Sequence, residues 1–259
     1  MNTFVFGDVH GDSKALSALL RKAREEGGND IQIYSIGDLL DRGPDSKGVV
    51  DLCVREGVQG VIGNHELWLH NYLSMGVFED FALSPIMGGK KTLLSYGVEE
   101  AEFSNVSEAL KSKIPPEHAE YFCNLSLTIT LNVGGVKYRL THGGIPRKSG
   151  AAVLEYFLAE LEKRGIRALP EEISDNILKF FAQSQSNIFL WAGAKKGEVF
   201  SFPDGSFQIF GHTPWKGGAE INVEQNYIAL DTGCGTCPPF KLSGALLLES
   251  GERKILTSK

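Results

Sequence analysis

Short apolar segments, each ending at glycine or at a polar cluster, form the main pattern along this chain. Six of them read TFVF, IQIYSI, GVQGVI, VKYRL, FQIF and NYIAL, and they stop at GDVHG, GDLLDRG, GNHE, THGG, GHT and DTG. Runs rich in β-branched and aromatic residues that end in this way are typical of strands. The sequence therefore predicts six strands whose C-terminal ends carry polar side chains.

Apolar residues at helical spacing separate the first three predicted strands. After an N-cap at Asp12 and Ser13, one helix face carries Leu16, Leu19, Leu20 and Ala23. A second helical segment lies between Pro44 and Gly57, and its apolar face carries Val49, Val50, Cys53 and Val54. The order strand, helix, strand, helix, strand predicts a parallel sheet with right-handed crossovers.

The C-terminal ends of parallel strands lie at one edge of a sheet, and open α/β folds bind ligands there. Residues that are far apart in the sequence can therefore converge in one crevice. The polar residues that we expect to meet at that edge are Asp8, His10, Asp38, Asn64, His142 and His212.

Two long segments interrupt the pattern of alternating strands and helices. Residues from about 66 to 120 and from about 150 to 186 have mainly helical periodicity, and a β-hairpin with Gly134-Gly135 near its turn lies between them. No repeat or long linker divides the chain, so we expect one domain over residues 1–259. The helical insertions would lie beside the strand ends, where loops select substrates.

Composition narrows the classes of partner. The chain of 259 residues is 42% hydrophobic, enough for one core, and its net charge of -6 offers no basic face for nucleic acid or a membrane. The sequence has neither a secretory leader nor an apolar stretch of about 18 residues, so we expect a cytoplasmic protein. The CGTC motif at Cys234 and Cys237 has no second pair for zinc, and a small-residue loop is favoured over a redox role.

The six converging residues form a nitrogen and oxygen donor set without thiolate. Such a set suits manganese, iron or zinc better than calcium, and two ions about 3.5 to 4 Å apart, bridged by Asp38, would use all six donors. Any single motif can be explained without a metal, as a packed histidine or a glycine turn. However, four of the six histidines stand in these clusters, namely His10, His65, His142 and His212. This concentration favours a binuclear metal site.

The ordered motifs GDVHG, GDLLDRG, GNHE, HGG and GHT, which span Phe6 to Gly233, resemble the signature of the phosphoprotein phosphatase family of binuclear metallophosphoesterases. The chain resembles the bacterial and phage serine/threonine phosphatases of this family. The resemblance implies the calcineurin-like α/β fold, in which two mixed β-sheets pack together and helices flank them. It also implies two divalent ions, manganese with iron or zinc as alternatives. One ion would be held by Asp8, His10 and Asp38, and the other by Asp38, Asn64, His142 and His212.

The resemblance further assigns roles in phosphate ester hydrolysis. A hydroxide that bridges the two ions would attack phosphorus directly, and Asn64 and Arg42 would contact the phosphate. His65 would donate a proton to the leaving group, oriented by Asp41, a role that suits an imidazolium near neutral pH. The guanidinium of Arg42 can hold two phosphate oxygens, although an ion pair with Asp41 or Asp45 is its alternative.

Substrate choice is less firmly implied. Relatives that act on phosphoproteins bring a second arginine from the segment before GHT, and this chain has none there; the candidate replacements are Arg147, Lys195 and Lys196. We expect phosphoserine and phosphothreonine proteins as substrates, and phosphotyrosine as well.

The main alternative is a dinucleoside polyphosphate hydrolase, with Trp215 or Tyr227 against adenine, although Asp41 and Glu66 favour a phosphomonoesterase. A silent phosphate-binding module and a nuclease are weaker alternatives, because no ligand is missing and no basic stripe is present.

Overall fold

Ten strands form two mixed sheets in the part of the chain that the computed structural model describes, residues 1–191, 193–236 and 241–258. The first sheet contains β1 (Thr3–Phe6), β2 (Gln32–Ser35), β3 (Gln59–Gly60), β9 (Ser243–Leu247) and β10 (Arg253–Thr257), in the order β10-β9-β1-β2-β3. The second contains β4 (Thr128–Val133), β5 (Val136–Thr141), β6 (Phe207–Phe210), β7 (Glu220–Asn222) and β8 (Tyr227–Ala229), in the order β4-β5-β6-β8-β7.

The predicted strand-helix alternation is confirmed in the first sheet. Strands β1, β2 and β3 run parallel, with Val5 opposite Tyr34 and Tyr34 opposite Gln59. They are joined by α1 (Ser13–Gly27) and α2 (Ser46–Arg55). The side chain of Asp12 accepts the backbone N–H of Ala15 at 2.9 Å, which caps α1 as its sequence predicts.

The other three predicted strands belong to the second sheet. Strands β5, β6 and β8 are parallel there, and β4 and β5 form the predicted hairpin, with φ of 57° at Gly134 and 76° at Gly135. The six polar strand ends are therefore divided three to each sheet. The antiparallel hairpin β9–β10, which the strand-end motifs do not indicate, completes the first sheet beside β1.

The alternation of side chains along β1 explains how the two sheets are packed. Val5 faces the second sheet and lies in the core between the sheets, with Ile36, Leu140, Ile209 and Leu247 among its members. Phe4 and Phe6 face the opposite way, onto the helices α1 and α2. Burial on both faces accounts for the unbroken apolar run TFVF.

Helices form most of the two segments that interrupt the strands. The first segment contains α3 (Leu67–Met75), α4 (Lys90–Ser95), α5 (Val106–Leu110) and α6 (Pro116–Cys123), with 3-10 helices at Asp80–Leu83 and Glu100–Asn105. The second contains α7 (Arg147–Lys163), α8 (Pro170–Ser184) and α9 (Asn187–Leu190). Each segment packs around an apolar cluster of its own. None of the helices in the described residues is long and apolar enough to cross a membrane.

Candidate metal centre

The backbone at the strand ends brings the predicted site residues together, and glycines allow the close approach. A Cβ atom on Gly63 would lie 2.3 Å from Oδ1 of Asp38, and one on Gly211 would lie 2.0 Å from Oδ1 of Asp8. Neither distance is compatible with a side chain larger than hydrogen. The glycines in GNHE and GHT therefore make room for carboxylates that come from other strands.

Left-handed backbone conformations are concentrated in this site. Six non-glycine residues in the described part of the chain have a positive φ, and five of them are predicted site residues: His10, Asp38, Asp41, Arg42 and His212. Each such residue costs about 1 to 3 kcal/mol, a strain that persists where the surrounding structure imposes it. The turns after β1, β2 and β6 are therefore shaped by the site that they form.

Four donor atoms face one another at the ends of strands from both sheets. Nε2 of His142 lies 3.0 Å from Oδ1 of Asn64, 3.2 Å from Nδ1 of His212 and 3.3 Å from Oδ1 of Asp38. The Asn64 oxygen is also 3.0 Å from the His212 nitrogen. All four residues of this cluster were predicted to share one ion.

Hydrogen bonds on the far side of each imidazole determine which nitrogen carries the proton. Nδ1 of His142 donates to the carbonyl of Ile36 at 2.8 Å, and Nε2 of His212 donates to the carbonyl of Trp191 at 3.2 Å. Burial lowers the pKa of His142 to about 4 and also lowers the pKa of His212, so both rings are neutral near pH 7. The two inward nitrogens and the Asn64 oxygen are then all acceptors.

Three acceptors at about 3 Å with no proton between them repel one another unless a cation lies among them. Burial would raise the pKa of Asp38, but the neighbouring histidines, His142 first, hold it below its ordinary value, so a carboxylate completes the set. The residues therefore fit a divalent ion, and their nitrogen and oxygen donors suit manganese, iron or zinc.

A second donor group consists of His10, Asp38 and His65. Nδ1 of His10 donates to the carbonyl of Leu40 at 3.0 Å, which leaves Nε2 as an acceptor 3.6 Å from Oδ2 of Asp38. Burial lowers the pKa of His10 to about 3, so this ring is neutral as well. Asp38 belongs to both donor groups, as expected for a residue that bridges two ions.

Asp8 is placed differently from its predicted partners. Its carboxylate accepts the backbone N–H of His212, at 3.0 Å from Oδ2 and 3.3 Å from Oδ1, and is not part of either donor group. Burial raises its pKa, and the nearby carboxylates of Asp231 and Asp38 raise it further. Three carboxylates held close together favour a cation, and the assignment of Asp8 to the first ion stays a prediction.

Asp231 was missed as a site residue, although DTG was one of the six strand-end motifs. It lies two residues after β8, is buried, and accepts the backbone N–H of Gly233 at 2.8 Å. Burial raises its pKa to about 6, and the negative charge of Asp38 adds to that rise. The position of the motif after a predicted strand was the signal that could have identified Asp231.

His65, which also belongs to the second donor group, forms a buried pair with Asp41. Nδ1 of His65 donates to Oδ2 of Asp41 at 2.9 Å, so Nε2 is the atom left to face a substrate. Burial lowers the pKa of His65, but attraction to Asp38 and Asp41 outweighs that effect and raises the pKa above its usual value. This geometry and charge match those of a general acid.

The first helical segment holds Asp41 in place, which the motifs did not indicate. The Thr92 hydroxyl donates to Oδ1 of Asp41 at 2.7 Å, and the indole N–H of Trp68 donates to Oδ2 at 3.3 Å. The hydroxyl of Thr92 also accepts the backbone N–H of Asp41 at 2.9 Å. Asp41 thus has a fixed orientation toward His65.

Glu66 has a structural task in the site. Its buried carboxylate accepts backbone N–H groups of the turns after β2 and β3, at 2.7 to 3.1 Å, from Asp38, Leu39, Leu40 and Gly63. Four bonds to one side chain join the turn that carries Asp38 to the turn that carries Asn64 and His65. Burial raises the pKa of Glu66 to about 7, and the charge of Asp38 contributes.

Arg42 reaches into the site and has no acidic partner among the described residues. Its Nη1 donates to Nε2 of His10 at 2.8 Å, and Nε and Nη2 donate to the carbonyl of Ile86 at 3.4 and 3.3 Å. The alternative ion pair with Asp41 or Asp45 is not formed; Asp45 instead caps α2 through the N–H of Gly48 at 3.0 Å. The guanidinium therefore remains available to an anion.

None of the three candidate replacements for the second arginine forms a hydrogen bond or ion pair with Arg42 in the described residues. Lys196 forms an ion pair with Glu220 at 2.6 Å. Arg147 and Lys195 are exposed, and no hydrogen bond or ion pair joins either side chain to Arg42 or to the predicted ligands, all of which lie in the described residues. Lys196 is thus engaged elsewhere, and the roles of the other two stay predictions.

The aromatic residues near the site are not those considered for adenine. Trp215 and Tyr227 are buried, and they pack on Phe210 with ring centroids 5.6 and 6.0 Å away, so neither is open to a ligand. Trp191 and Phe81 are instead 43% and 51% exposed, and their ring centroids are 6.4 Å apart. The carbonyl of Trp191 contacts His212, which places this aromatic pair at the rim of the site.

Two further residues, a histidine and a cysteine, lie outside the cluster. His118 is buried and bonded to Tyr96 and Asp51, both at 2.9 Å, which gives it a structural role. Cys234 is buried, whereas Cys237 lies outside the described residues, so the preference for a loop over a redox pair stays a prediction.

Comparison with known proteins identifies the architecture around this centre. The family model for calcineurin-like phosphoesterases matches residues 1–216. The chain belongs to the calcineurin-like phosphoesterase family. The predicted fold, with two mixed sheets and outer helices, is confirmed, as is the resemblance drawn from the five motifs. The protein is a metallophosphoesterase, a hydrolase of a family that uses divalent metal ions.

Individual relatives of this calcineurin-like phosphoesterase carry different names. The asymmetrical bis(5'-nucleosyl)-tetraphosphatase PrpE of Oceanobacillus iheyensis is 27% identical over 248 residues, which cover 90% of this chain and 84% of that protein. Serine/threonine-protein phosphatase 1 of Salmonella typhimurium is 42% identical over 65 residues, 25% of this chain and 30% of that protein. The solved structure of a serine/threonine phosphatase from Saccharomyces cerevisiae has a TM-score of 0.52 at 17% identity and covers 99% of this chain and 79% of that one.

Proposed function

We propose that this metallophosphoesterase hydrolyses phosphomonoesters, with phosphoserine and phosphothreonine residues of proteins as its main substrates and phosphotyrosine as a further one. The hydrogen bond of 2.9 Å between His65 and the buried Asp41 carries this proposal. It equips the site to deliver a proton to a leaving group, and only some phosphate esters need one.

The need for a proton depends on the basicity of the group that leaves. Serine and threonine leave as alkoxides, which are strong bases, so proton donation by a side chain accelerates their departure by a factor of about 10² to 10⁴. A nucleotide leaves as a phosphate anion, whose second pKa is about 6, and it departs without help. A dedicated and rigidly held acid therefore favours an ester over an anhydride.

The other residues of the site act on the phosphate and its surroundings. Arg42 presents a planar guanidinium without a carboxylate partner, suited to two phosphate oxygens. Two divalent ions, for which manganese is our proposal, would be held by the six predicted ligands and would supply a metal-activated water and neutralise the phosphate charge. His65 donates its proton from Nε2, and Asp41 keeps the ring in the orientation required.

The test compares kcat/KM for a phosphothreonine peptide and for diadenosine tetraphosphate on one manganese-loaded preparation with measured metal content. A preference for the peptide of at least about a hundredfold is expected from the contribution of the general acid. A preference for the dinucleotide would overturn the proposal, and inactivity on both with two ions bound would favour a silent phosphate-binding module.

Asymmetrical hydrolysis of dinucleoside tetraphosphates is the second candidate function. Two observations support it: the pair of exposed aromatic rings at the rim, Trp191 and Phe81, which a nucleobase could stack on, and a relative of that name that is matched over 90% of this chain. The same comparison of substrates separates the two candidates.

A further inference from the structure

A cleft of about 390 Å³ opens directly beside Arg42. Its lining includes Leu83, Ser84 and Pro85 on one part of the first helical segment, and Lys90 and Lys91 at the start of α4. It shares Arg42 with the metal centre, so a substrate whose phosphate is held by this arginine can extend into it.

The backbone that carries the two lysines is anchored to the site on both sides. The carbonyl of Gly88 accepts the backbone N–H of Arg42 at 3.3 Å, and the hydroxyl of Thr92 donates to Asp41 at 2.7 Å. Lys90 and Lys91 lie between these two contacts. Their backbone therefore has a fixed position relative to the phosphate-binding arginine.

The positive charge of this cleft has no acidic partner in the described residues. Neither Lys90 nor Lys91 forms an ion pair, and Arg42 bonds only to a carbonyl and an imidazole. By contrast, Lys111 and Lys113 of the same helical segment pair with glutamates at 2.6 and 2.7 Å. In a chain of net charge -6, three neighbouring cations without carboxylates form a local site for anions.

We propose that Lys90 and Lys91 form a second anion subsite, which binds a further negative group of the substrate next to the phosphate that is cleaved. The inference rests on the proposed function, in which that group is an aspartate, glutamate or second phosphoresidue flanking the phosphorylated residue of a protein. The apolar Leu83 and Pro85 would contact the intervening chain. In a dinucleotide the same chemistry would come from the neighbouring phosphates.

The first experiment measures kcat/KM for two phosphothreonine peptides that differ only in flanking residues, neutral in one and aspartate in the other, with 4-nitrophenyl phosphate and diadenosine tetraphosphate as further substrates. The variant Lys90→Gln/Lys91→Gln removes the charge, and Lys90→Arg/Lys91→Arg keeps it. Lys22→Gln/Lys254→Gln removes the same charge at positions that do not line the cleft.

An exposed charge pair contributes a factor of about 1.5 to 5, so loss of both lysines should lower kcat/KM for the acidic peptide about three- to twentyfold, mainly through KM. The neutral peptide and 4-nitrophenyl phosphate should change less than about twofold, and the arginine variant should restore the preference. Added salt should reduce the preference in the native protein. Equal losses on acidic and neutral peptides, or an equal loss in the distant control, would overturn the subsite.

A competition experiment tests the subsite separately from the proposed function. Methylenediphosphonate and methylphosphonate compete with 4-nitrophenyl phosphate, and the ratio of their inhibition constants measures how much the second anionic group adds. The glutamine variant should lose most of the advantage of the diphosphonate. If it does so while neither peptide is hydrolysed, the subsite stands and the protein phosphatase proposal fails; an unchanged ratio overturns the subsite even if peptides are good substrates.

Discussion

Replacement of Asp41 by asparagine is a direct test of how this site delivers a proton. The Asp41 carboxylate accepts three hydrogen bonds, from His65 at 2.9 Å, Thr92 at 2.7 Å and Trp68 at 3.3 Å. Asparagine has the same shape and removes the negative charge. The change therefore weakens the support of the His65 imidazolium without opening a cavity.

The structure allows the size of this effect to be worked out. A hydrogen bond to a charged group is worth about 1.5 to 3 kcal/mol, which corresponds to a pKa decrease at His65 of about 1 to 2 units. Burial already pulls that pKa down, and Asp38 and Asp41 together raise it. At pH values above the native pKa of His65, which is itself raised above the usual value, the protonated fraction falls by a factor of about 10 to 100.

The assay is the pH profile of kcat for a phosphothreonine peptide and for 4-nitrophenyl phosphate, compared at pH values above the native pKa of His65. We expect about a 10- to 100-fold loss on the peptide and little change on the aryl ester, whose leaving group needs no proton. Ser46→Ala is the control, since the Ser46 hydroxyl accepts the Asp41 backbone N–H at 3.1 Å and is 2.9 Å from the Thr92 hydroxyl, but it bonds to neither the Asp41 carboxylate nor His65. Equal losses on both substrates, or a similar loss in the control, would refute the reasoning.

Three further predictions concern Glu66, the metal ligands and Trp191. Glu66→Gln should lower the free energy of unfolding by about 1 to 3 kcal/mol, because one carboxylate satisfies four buried N–H groups. A melting temperature equal to that of the native protein would contradict this. Removal of metal by a chelator should lower the melting temperature. Manganese at about a hundredfold over its Kd should restore about 2.7 kcal/mol of unfolding free energy in the native protein and much less in His142→Ala. Equal recovery in both proteins would count against the donor cluster. Trp191→Ala should raise the KM for diadenosine tetraphosphate about 5- to 150-fold and leave the KM for 4-nitrophenyl phosphate unaffected. Trp191→Phe is the control that keeps an aromatic ring. An unchanged KM in Trp191→Ala would exclude a role for Trp191 in substrate binding.

Local sequence patterns were sufficient to predict which residues follow the strands. An apolar run followed by a glycine and a polar side chain indicates a strand end without any knowledge of its neighbours, and the structure places His10, Asp38, Asn64, His142 and His212 at such ends. The helix α1 was predicted from sequence as well, because its N-cap and its buried face are local features.

Contacts between distant segments could not be read in this way. Thr92 supports Asp41 from 51 positions along the chain, and it lies in a helical segment whose sequence carries no motif. Lys90 and Lys91 look like surface lysines in the sequence, and their significance comes only from the cleft that they share with Arg42. Trp215 and Tyr227 were considered for ligand binding, but the packing of β6 and β8 buries both.

The sequence by itself determined the chemistry of this protein, since side-chain types and the strand ends that carry them are local properties. It specified nitrogen and oxygen donors without thiolate, and it predicted a histidine with an aspartate partner and an arginine for phosphate. The tertiary structure alone decided which of these groups meet, because the six strands divide between two sheets and the helical segments return to the site from far along the chain. It also decided which charges are compensated: Lys196 is paired with Glu220, whereas Arg42 lies in a cleft with two lysines.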